Sequence, residues 1–258
     1  MNREILKRLE FARNTASSAG KILMEHFGER QDSNMKSLRE VVTKADLLSE
    51  ELIVEAISKE FSEPILSEEK YSKANFAGPL WIVDPLDGTN NFSRGFPFFS
   101  VLIAFAVDGD TRLGIVHDPL RSETFWTDGD KSFLGDEPIR VSDTKNLIDC
   151  IAATGFPYDR KKESNLENFV RVQMAVRDVR RAGSAGLDLA YTAAGRLDFF
   201  WELGLKPWDI AAGELLVRCA GGKTGKFNGD PFDISNDRIL AAPPKIFDKV
   251  VNILSNGE

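Results

Sequence analysis

The spacing of apolar residues changes along this chain of 258 residues, and these changes limit the folds that it can adopt. Up to Phe61 apolar residues recur every three or four positions, as in amphipathic helices. From Pro64 to Thr154 they form short runs between turn residues, as in strands. Beyond Asn165 helical and strand patterns are interleaved. The pattern predicts an α/β protein of the α+β type, with a sheet in the middle of the chain and helices around it.

Two Asp-Gly-Asp turns, at residues 108–110 and 128–130, separate neighbouring apolar runs. Asp-Gly between two strands favours a hairpin, so at least part of the sheet is expected to be antiparallel. Helices are predicted over residues 1–27, 46–61, 165–178, 185–194, 209–220 and 245–254, and the polar segment 28–39 is predicted to be a loop. Strands are predicted over residues 64–67, 80–83, 98–107, 113–118, 123–127, 148–154, 197–201, 223–227 and 239–242.

The second predicted helix begins at Asp46 and ends before Pro64. Its apolar residues fall on one face at helical spacing, and this face is expected to be buried. The apolar positions are Leu48, Leu52, Ile53, Ala56, Ile57 and Phe61. The charged residues Glu50, Glu51, Glu55 and Lys59 fall outside this face. An ordinary amphipathic surface helix is therefore expected.

The composition is that of an ordinary globular protein, with 42% hydrophobic and 28% charged residues. The net charge of -7 argues against nucleic acid as the main ligand, because binding to a phosphate backbone needs a basic face. Arg177, Arg180 and Arg181 form a local basic cluster, which we expect to be a solvated helix end. No Pro/Ser-rich linker or internal repeat divides the chain, so one domain over residues 1–258 is expected.

The N-terminal helical pattern lacks the apolar stretch of a signal peptide and the ~20 apolar residues that a membrane-spanning helix needs. A cytoplasmic protein is therefore expected, with no membrane partner. Cys150 and Cys219 have no Cys or His at zinc-site spacing, so they are expected to be reduced, structural thiols. His26 and His117 are the only histidines, which leaves little material for a Ser-His-Asp triad.

Two aspartates follow a buried-strand pattern in the segment Asp84-Pro85-Leu86-Asp87-Gly88-Thr89. The apolar run Leu80–Val83 stops where this segment begins, so both carboxylates are expected to project from a tight turn past a strand end. Proline restricts φ and glycine permits an unusual backbone, so the turn can hold both carboxylates and the Leu86 carbonyl in one small volume. Such hard oxygen ligands suit Mg²⁺. Asp-Pro and Asp-Gly are also common in structural turns, and an architectural role remains the alternative.

Thr89 ends this segment and is a candidate helix start. If a helix begins there, its free backbone N–H groups would face a bound phosphate. Further acids stand in similar settings: Glu68 and Glu69 follow the apolar run 64–67, and Asp209 follows Lys206-Pro207-Trp208. Each acid lies where an apolar stretch meets a turn or a helix start, which favours a shared metal site over isolated turns.

Five sequence blocks resemble the inositol monophosphatases of the magnesium-dependent, lithium-sensitive phosphatase superfamily, and the resemblance extends from about Ala12 to Ala242. The blocks are Val42–Asp46, Ser67–Glu69, Trp81–Phe92, Gly183–Ala185 and Trp208–Gly213. The segment 180–222 looks like the bacterial branch of the family. The resemblance implies a layered αβαβα sandwich with two mixed or antiparallel sheets. It also implies a homodimer that works with two to three Mg²⁺ ions per site.

The resemblance implies a metal ligand set of Glu68, Asp84, the Leu86 carbonyl, Asp87 and Asp209. The first ion would be held by Glu68, Asp84 and the Leu86 carbonyl. Asp84, Asp87 and Asp209 would hold the second ion, where lithium would compete, and Glu68 would also reach a weaker third ion. Without cations, these clustered carboxylates would repel one another and raise one another's pKa values.

The implied reaction is direct in-line attack on phosphorus by a metal-activated water, without a covalent enzyme intermediate. Glu68, Thr89 and Asp46 are the implied catalytic residues, with Asp46 orienting Thr89, which aligns and deprotonates the water. Backbone N–H groups of Gly88 and Thr89 would steady the phosphate. An acid near a helix start is also a common capping residue, so a structural role for Asp46 stays open.

The implied substrate-binding residues are Asp87, Gly88, Thr89, Gly183, Ser184, Ala185, Glu202 and Asp209. Glu202 and the Gly183–Ala185 backbone would lie beside the hydroxyls of the leaving alcohol. The structural alternatives are a solvated glutamate for Glu202 and a helix-capping loop for Gly183–Ala185. Gly186 departs from the family pattern, because many relatives carry alanine there, and a looser local backbone is expected.

The function expected from these residues is Mg²⁺-dependent hydrolysis of a small phosphate monoester, with myo-inositol 1-phosphate as the first candidate. Fructose 1,6-bisphosphate, alone or with dual specificity, and histidinol phosphate are the alternatives, and loops around 156–164 and Glu202 would decide among them. A protein of another class also remains possible: a catalytically silent binding or regulatory protein that uses the surface from Arg177 to Arg181.

Overall fold

A computed structural model describes residues 3–28, 34–35, 41–73, 75–157 and 164–255 of the chain. Its helices are α1 Arg3–His26, α2 Lys44–Glu60, α3 Thr89–Ser93, α4 Leu166–Ala175, α5 Ala185–Ala193, α6 Pro207–Cys219 and α7 Pro244–Ser255. Its strands are β1 Asn34–Met35, β2 Val41–Val42, β3 Ile65–Ser67, β4 Pro79–Asp87, β5 Ser100–Val107, β6 Asp110–Asp118, β7 Glu123–Thr127, β8 Ser132–Leu134, β9 Glu137–Pro138, β10 Ile151–Thr154, β11 Asp178–Arg180, β12 Phe199–Leu203, β13 Lys223–Gly225 and β14 Arg238–Ala242. A short 3₁₀ helix covers Leu147–Asp149.

The larger sheet has seven strands in the order β3-β4-β5-β6-β7-β8-β9. Only its edge pair β3 and β4 runs parallel, and the other neighbours are antiparallel. The β5–β6 and β7–β8 connections fall at the two predicted Asp-Gly turns. Both predicted hairpins are therefore confirmed.

The smaller sheet has five strands in the order β11-β10-β12-β14-β13. Strand β10 runs parallel to β11 and β12, whereas β14 is antiparallel to β12 and β13. Each of these two sheets is thus mixed, as expected. Strands β1 and β2 form a separate antiparallel pair.

Three apolar clusters hold the helices against the sheets, and each cluster fills one interface between layers. The first joins α1 and α2 to the outer face of the seven-stranded sheet. The second places α5 and α6 between the two sheets. The third packs α4 and α7 on the far face of the five-stranded sheet. The order of layers is α-β-α-β-α, so the predicted sandwich is confirmed. None of the described helices is long and apolar enough to cross a membrane.

Strand periodicity directs one acidic side chain into the interior of this sandwich. Successive side chains of a strand point to opposite faces of the sheet. In β12, Phe199, Trp201 and Leu203 pack in the outer cluster, whereas Phe200 packs against α5 and α6. Glu202 has the same parity as Phe200, so it projects into the space between the sheets.

Two predicted boundaries are wrong because pairing with distant strands overrides local spacing. Helix α4 ends at Ala175 rather than 178, and residues 178–180 form the edge strand β11 beside β10. Arg177 and Arg180 therefore flank or occupy a strand instead of a helix end. In the predicted loop 28–39, Asn34–Met35 is a strand paired with β2, and residues 29–33 and 36–39 lie outside the described residues.

Other predicted strands are displaced at their ends. Strand β4 does not stop at Val83 but continues through Asp87, with an irregular register between Asp84 and Asp87. The two aspartates therefore lie at the end of a strand rather than in a turn beyond it. Strand β10 starts at 151 instead of 148, and β12 spans 199–203 instead of 197–201. Strands β8 and β9 and the short helix α3 complete the middle region.

The two cysteines are free thiols, in agreement with the expected structural role. Cys150 is buried in the cluster between α7 and the five-stranded sheet. Burial raises the pKa of the Cys150 thiol to about 12, so the reactive thiolate is suppressed.

Candidate active site

A cavity of about 410 Å³ opens between the two sheets and is lined by most of the predicted site residues. The predicted residues on its walls are Glu68, Asp84, Leu86, Asp87, Gly88, Thr89, Gly183, Ala185, Glu202 and Asp209. Asp46 and Ser184 lie one layer behind the walls, where they hydrogen-bond Thr89 and Asp87. The structure therefore brings all twelve predicted residues together, although they come from segments up to 163 positions apart.

The carboxyl groups of Asp84 and Asp87 are held at one oxygen each by the protein. Oδ1 of Asp84 accepts a hydrogen bond from the Leu86 backbone N–H at 3.0 Å. Oδ2 of Asp87 accepts from the Ser184 hydroxyl at 2.5 Å, from the Gly186 N–H at 2.8 Å and from Ser100 at 3.3 Å. Both carboxyls are thereby oriented before any ligand binds.

Asp209 reaches the same cavity from the first turn of α6. Its Oδ2 accepts a hydrogen bond from the Lys206 backbone N–H at 2.7 Å, as in a capping box. Pro207 occupies the first turn of the helix, where a missing N–H costs nothing. The helix start thus fixes Asp209 opposite the acids of β4.

Burial and mutual repulsion make the metal-free site electrostatically unfavourable. Burial, followed by Glu68, Asp87 and Asp209, raises the pKa of Asp84 well above its usual value. Burial and then Glu68 raise the pKa of Asp209 in the same direction. Burial raises the pKa of Asp87 to about 6, against the effect of its hydrogen bonds. A bound cation would relieve all three costs at once.

The donor set at this cavity fits a hard divalent cation. In the described part of the chain, the protein engages a single oxygen of each of Asp84, Asp87 and Asp209, which leaves the other for a ligand. The available donors are carboxylate oxygens and one backbone carbonyl, which suit Mg²⁺ rather than a thiophilic metal. Within the described ranges, no three His, Cys, Asp or Glu side chains already stand close enough to hold an ion.

Thr89 and Asp46 form a buried pair behind the acids. The Thr89 hydroxyl lies 2.9 Å from Asp46 Oδ1 and 2.9 Å from the Leu86 carbonyl, so it can donate to either. Oδ2 of Asp46 accepts from the Thr43 backbone N–H at 2.8 Å at the start of α2. Asp46 thus caps the helix and also touches Thr89, so both roles considered from the sequence are compatible. Burial raises its pKa to about 6.

Gly88 shapes the start of α3 beside the cavity. Its φ of 92° is a left-handed conformation that favours glycine, and an added Cβ would lie 3.0 Å from the Phe98 carbonyl. The helix begins at Thr89, as the predicted phosphate-binding turn required. It has five residues, so its N–H groups would act individually and the helix dipole is small. Binding of phosphate at this turn remains a prediction.

The predicted substrate side of the cavity is formed by Glu202 and the loop before α5. Gly155 packs so closely that an added Cβ would overlap the Glu202 carboxyl. Burial raises the pKa of Glu202 to about 8, and the guanidinium of Arg181 opposes this rise. Ser184 caps α5 and also donates to Asp87, so the loop couples the helix start to the acids.

Gly186 is held in a crowded position, which contradicts the expected looser backbone. An added Cβ would collide with the methyl groups of Leu102, one of them at 2.8 Å, and would lie 3.0 Å from Asp87 Oδ2. Leu102 is 1% exposed in the core, so it has little room to rotate. The small residue at 186 is matched to the large residue at 102.

We expect Gly186→Ala to destabilise the protein by about 1–3 kcal/mol, because it overpacks this contact. Urea unfolding of the single variants and of Gly186→Ala with Leu102→Val measures the effect. The double variant should recover part of the loss, because valine is shorter. An equal loss of stability in Gly186→Ala and in the double variant would show that contact with Leu102 does not cause the destabilisation.

Local sequence patterns do not identify several residues at the site. Arg181, expected at a solvated helix end, instead lines the cavity and places a cation near Glu202. Asn91 donates to the carbonyls of Phe98 and Ala182 at 2.7 and 2.8 Å and ties α3 to the loop before α5. Glu50, predicted outside the buried face of α2, is 0% exposed. No local pattern signals these roles, because each depends on a distant partner.

A larger cavity of about 660 Å³ lies at the β5–β6 turn, away from these acids. Its buried acid Glu214 already accepts from Arg218 at 3.2 Å and from Thr224 at 2.6 Å. The exposed Asp110 also pairs with Arg218, at 3.5 Å. These acids are neutralised by protein partners, so the smaller cavity is the candidate active site.

Comparison with known proteins identifies the family of this chain. The sequence profile of the inositol monophosphatase family matches residues 5–256. The protein called Nus factor SuhB from Pasteurella multocida is 38% identical over 252 residues, covering 95% of this chain and 94% of that protein. The Escherichia coli K12 protein of the same name is 38% identical over 245 residues, covering 92% of each chain.

Solved structures agree in fold over nearly the whole chain. The extragenic suppressor protein suhB from Bartonella henselae superimposes with a TM-score of 0.91 at 36% identity, covering 98% of this chain and 100% of that one. The inositol monophosphatase from Anabaena superimposes with a TM-score of 0.89 at 35% identity, covering 98% and 97%. By its sequence and by its fold, this chain belongs to the inositol monophosphatase family.

Proposed function

We propose that this protein is a Mg²⁺-dependent phosphatase that hydrolyses a small phosphate monoester, with myo-inositol 1-phosphate as the first candidate. The observation that carries the proposal is the convergence of Glu68, Asp84, Asp87 and Asp209 on one cavity beside the Thr89–Asp46 pair. An inositol monophosphatase at 35% identity supports the reaction class. One domain over residues 1–258 and a homodimer remain part of this proposal.

The acids of the cavity are proposed to hold the cations, with the Leu86 carbonyl as an additional ligand. Glu68, Asp84 and the Leu86 carbonyl would form one position, and Asp84, Asp87 and Asp209 the other. Mg²⁺ bound there would polarise the phosphoryl oxygens and lower the pKa of a water. The hydrogen bonds that already orient Asp84, Asp87 and Asp209 would reduce the ordering cost of binding.

The Thr89–Asp46 pair is proposed to orient the attacking water. The hydroxyl that now lies 2.9 Å from Asp46 can pass its hydrogen to that carboxyl and accept one from a water. The pKa of Asp46, raised by burial to about 6, lies near neutral pH, where a proton acceptor works best. The N–H groups of Gly88 and Thr89 would bind the phosphate oxygens as their negative charge grows.

The alcohol of the substrate is proposed to lie between Glu202 and the loop Gly183–Ala185. Glu202 can accept or donate hydrogen bonds to hydroxyls, because its raised pKa of about 8 makes both forms accessible. Arg181 adds a cation beside it. A structure at 26% identity and a TM-score of 0.78 is described as inositol monophosphate bound, which supports a phosphorylated polyol.

Other esters remain competing substrates on the same metal site. Fructose 1,6-bisphosphate and histidinol phosphate would use the same acids, and the metal ligands do not separate them. Part of the loop that would separate them, residues 158–163, lies outside the described residues.

A binding or regulatory protein without activity is the second candidate function. Curated relatives at 36–39% identity carry the name Nus factor SuhB, which is not the name of a phosphatase. Arg177, Arg180 and Arg181 could serve a partner, although Arg181 also lines the cavity. The presence of every acid of the proposed metal site favours the enzyme.

A phosphate-release panel with Mg²⁺ tests the proposed function. The esters are inositol 1-phosphate, fructose 1,6-bisphosphate, histidinol phosphate and a 3′,5′-bisphosphonucleotide. We expect the highest kcat/KM for inositol 1-phosphate. No turnover on any of these esters would refute the enzyme and leave the binding protein as the better account.

We expect Glu202→Ala to change the ranking of these esters more than it lowers kcat at saturating Mg²⁺, because Glu202 contacts the alcohol rather than the phosphate. Gly155→Ala should act in the same direction, since its methyl group would displace the Glu202 carboxyl. The kcat and KM of both variants on the panel measure this. An unchanged ranking in both variants would remove Glu202 from the alcohol site.

A further inference from the structure

Helix α2 carries three polar residues on one buried face, at positions 46, 49 and 50. Side chains three and four positions apart lie on the same face of a helix. Asp46, Ser49 and Glu50 are each 0% exposed. The apolar continuation of the same face, Ile53 and Ile57, is equally buried. The first half of a core-facing helix surface is thus polar, which is costly unless each group has a partner.

Together these three residues contact two segments of the candidate site, residues 84–89 and residues 67–70. Asp46 receives the Thr89 hydroxyl at 2.9 Å. Ser49 donates to the Pro85 carbonyl at 2.8 Å, between Asp84 and Asp87. Glu50 accepts hydrogen bonds from the segment that carries Glu68. One rigid helix therefore contacts both acid-bearing segments.

The contacts of Glu50 enclose Glu68 from both sides. Oε1 of Glu50 accepts hydrogen bonds from the Ser67 hydroxyl at 2.6 Å, from the Glu69 backbone N–H at 3.2 Å and from the Lys70 backbone N–H at 3.0 Å. Strand β3 ends at Ser67, and its described pairing with β4 does not extend to residues 68–70. Backbone N–H groups are satisfied by hydrogen bonds in folded proteins, and Glu50 supplies the acceptor for two of them, at Glu69 and Lys70.

We propose that Glu50 is a positioning residue that sets the Mg²⁺ affinity of the site by fixing the segment that carries Glu68. This proposal rests on the proposed metal site, because Glu68 matters here as a ligand. Through Ser49 the same helix fixes Pro85, so α2 sets the spacing between Glu68 and the acids Asp84 and Asp87. The mechanism described above uses neither Glu50 nor Ser49.

The physical basis is the difference between an ordered and a mobile ligand. A ligand held by a supporting shell loses little conformational freedom when an ion binds. Release of the 67–70 segment would add that ordering cost to every binding event. Removal of such supporting groups typically weakens metal binding by about 10- to 100-fold.

Glu50→Gln, Ser67→Ala and the control Glu51→Gln test the proposal by isothermal titration calorimetry with Mg²⁺ on the full chain. Glutamine keeps the size of the side chain but replaces one of the two carboxyl oxygens, the acceptors of these hydrogen bonds, with an NH₂ group. We expect the Mg²⁺ Kd to rise about tenfold in Glu50→Gln and about threefold in Ser67→Ala, which removes the 2.6 Å contact from its other end. Glu51 is exposed on the same helix, so its variant should keep the wild-type Kd.

The Mg²⁺ dependence of activity is a second measurement, which a purely structural role of Glu50 would leave unchanged. The Mg²⁺ concentration at half-maximal phosphate release should rise in parallel with the Kd, whereas kcat at saturating Mg²⁺ should stay within about twofold, because the ligands themselves are intact. Melting of the metal-free variants verifies folding. If Glu50→Gln does not fold, Ser67→Ala carries the test alone.

A folded Ser67→Ala or Glu50→Gln with wild-type Mg²⁺ affinity would overturn the proposal, even if its melting temperature is lower. A wild-type protein that binds no Mg²⁺ would overturn it as well. A wild-type protein that binds Mg²⁺ but releases no phosphate from any ester would refute the proposed function only, because calorimetry would still show whether binding depends on Glu50.

Discussion

Asp84→Asn is expected to abolish Mg²⁺-dependent phosphate release while the fold stays intact. Asp84 is proposed to contact both metal positions, and it is 1% exposed at the end of β4. A bound cation contributes several kcal/mol of transition-state stabilisation, so the loss in kcat/KM should be about a thousandfold or more. Phosphate release on the preferred ester and circular dichroism measure the two effects.

The same substitution should raise the melting temperature of the metal-free protein. Asparagine keeps an acceptor for the Leu86 N–H but removes a carboxyl whose pKa is raised by burial and by Glu68. Mg²⁺ should then stabilise the variant less than the wild type. Asp136→Asn, at an exposed turn, is the control and should change neither quantity. Near-normal turnover in Asp84→Asn would show that the metal site is misplaced.

Stabilisation by Mg²⁺ is expected to grow as pH rises from 5 to 8. The site contains buried carboxyls whose pKa values are raised in the folded protein: Asp46 and Asp87 to about 6 and Glu202 to about 8. Between its unfolded and folded pKa, such a carboxyl binds more protons in the native state than in the unfolded state. Its contribution to stability is therefore fully present below about pH 4 and is lost as pH rises through the folded pKa.

The expected size of the Mg²⁺ effect on stability can be derived from a single carboxyl group, that of Asp87. A buried carboxyl whose pKa rises from 3.8 to about 6 costs about 3 kcal/mol of folding free energy once ionised. In a protein of this length that corresponds to about 6–12 °C in melting temperature. Mg²⁺ should offset the cost of the acids that it contacts, so the difference in melting temperature with and without Mg²⁺ should be small at pH 5 and largest near pH 8.

Thermal melts in Mg²⁺ and in a chelator, at intervals between pH 5 and 8, measure this difference. Asp84→Asn should flatten its pH dependence, because one of the interacting carboxyls is gone. A difference that stays constant or shrinks with rising pH would contradict the linkage between Mg²⁺ and the buried carboxyls.

The resemblance in five blocks was sufficient to name Glu68, Asp84, Asp87, Asp209 and their neighbours, and the structure places them all at or behind one cavity. Local patterns were also sufficient for the Asp-Gly hairpins and for helices α5 and α6. These features depend on short stretches of chain, where turn chemistry and residue spacing act directly.

The spacing of apolar residues in α2 predicts that Glu50 lies outside the buried face of the helix, and this prediction is wrong. The helical pattern counts apolar residues and treats a charged residue as exposed, because an unpaired charge is rarely buried. Glu50 is buried because Ser67, Glu69 and Lys70, which lie 17 to 20 positions away, donate to it. The expected environment of Arg181 is wrong for the same reason, since the edge strand β11 that precedes it forms only by pairing with β10.

By itself, the sequence determined the classes of element, the hairpins and the kind of atoms that gather at the site, namely carboxylate and carbonyl oxygens that suit a hard cation. The tertiary structure alone decided which face of α2 is buried, how closely Gly155 and Gly186 are packed, and which residues hold the acids in place. The physical reason is the distance along the sequence over which each kind of interaction acts. Turn chemistry and helical spacing act within a few residues, whereas burial, pKa and hydrogen-bond partners depend on groups that only folding brings together.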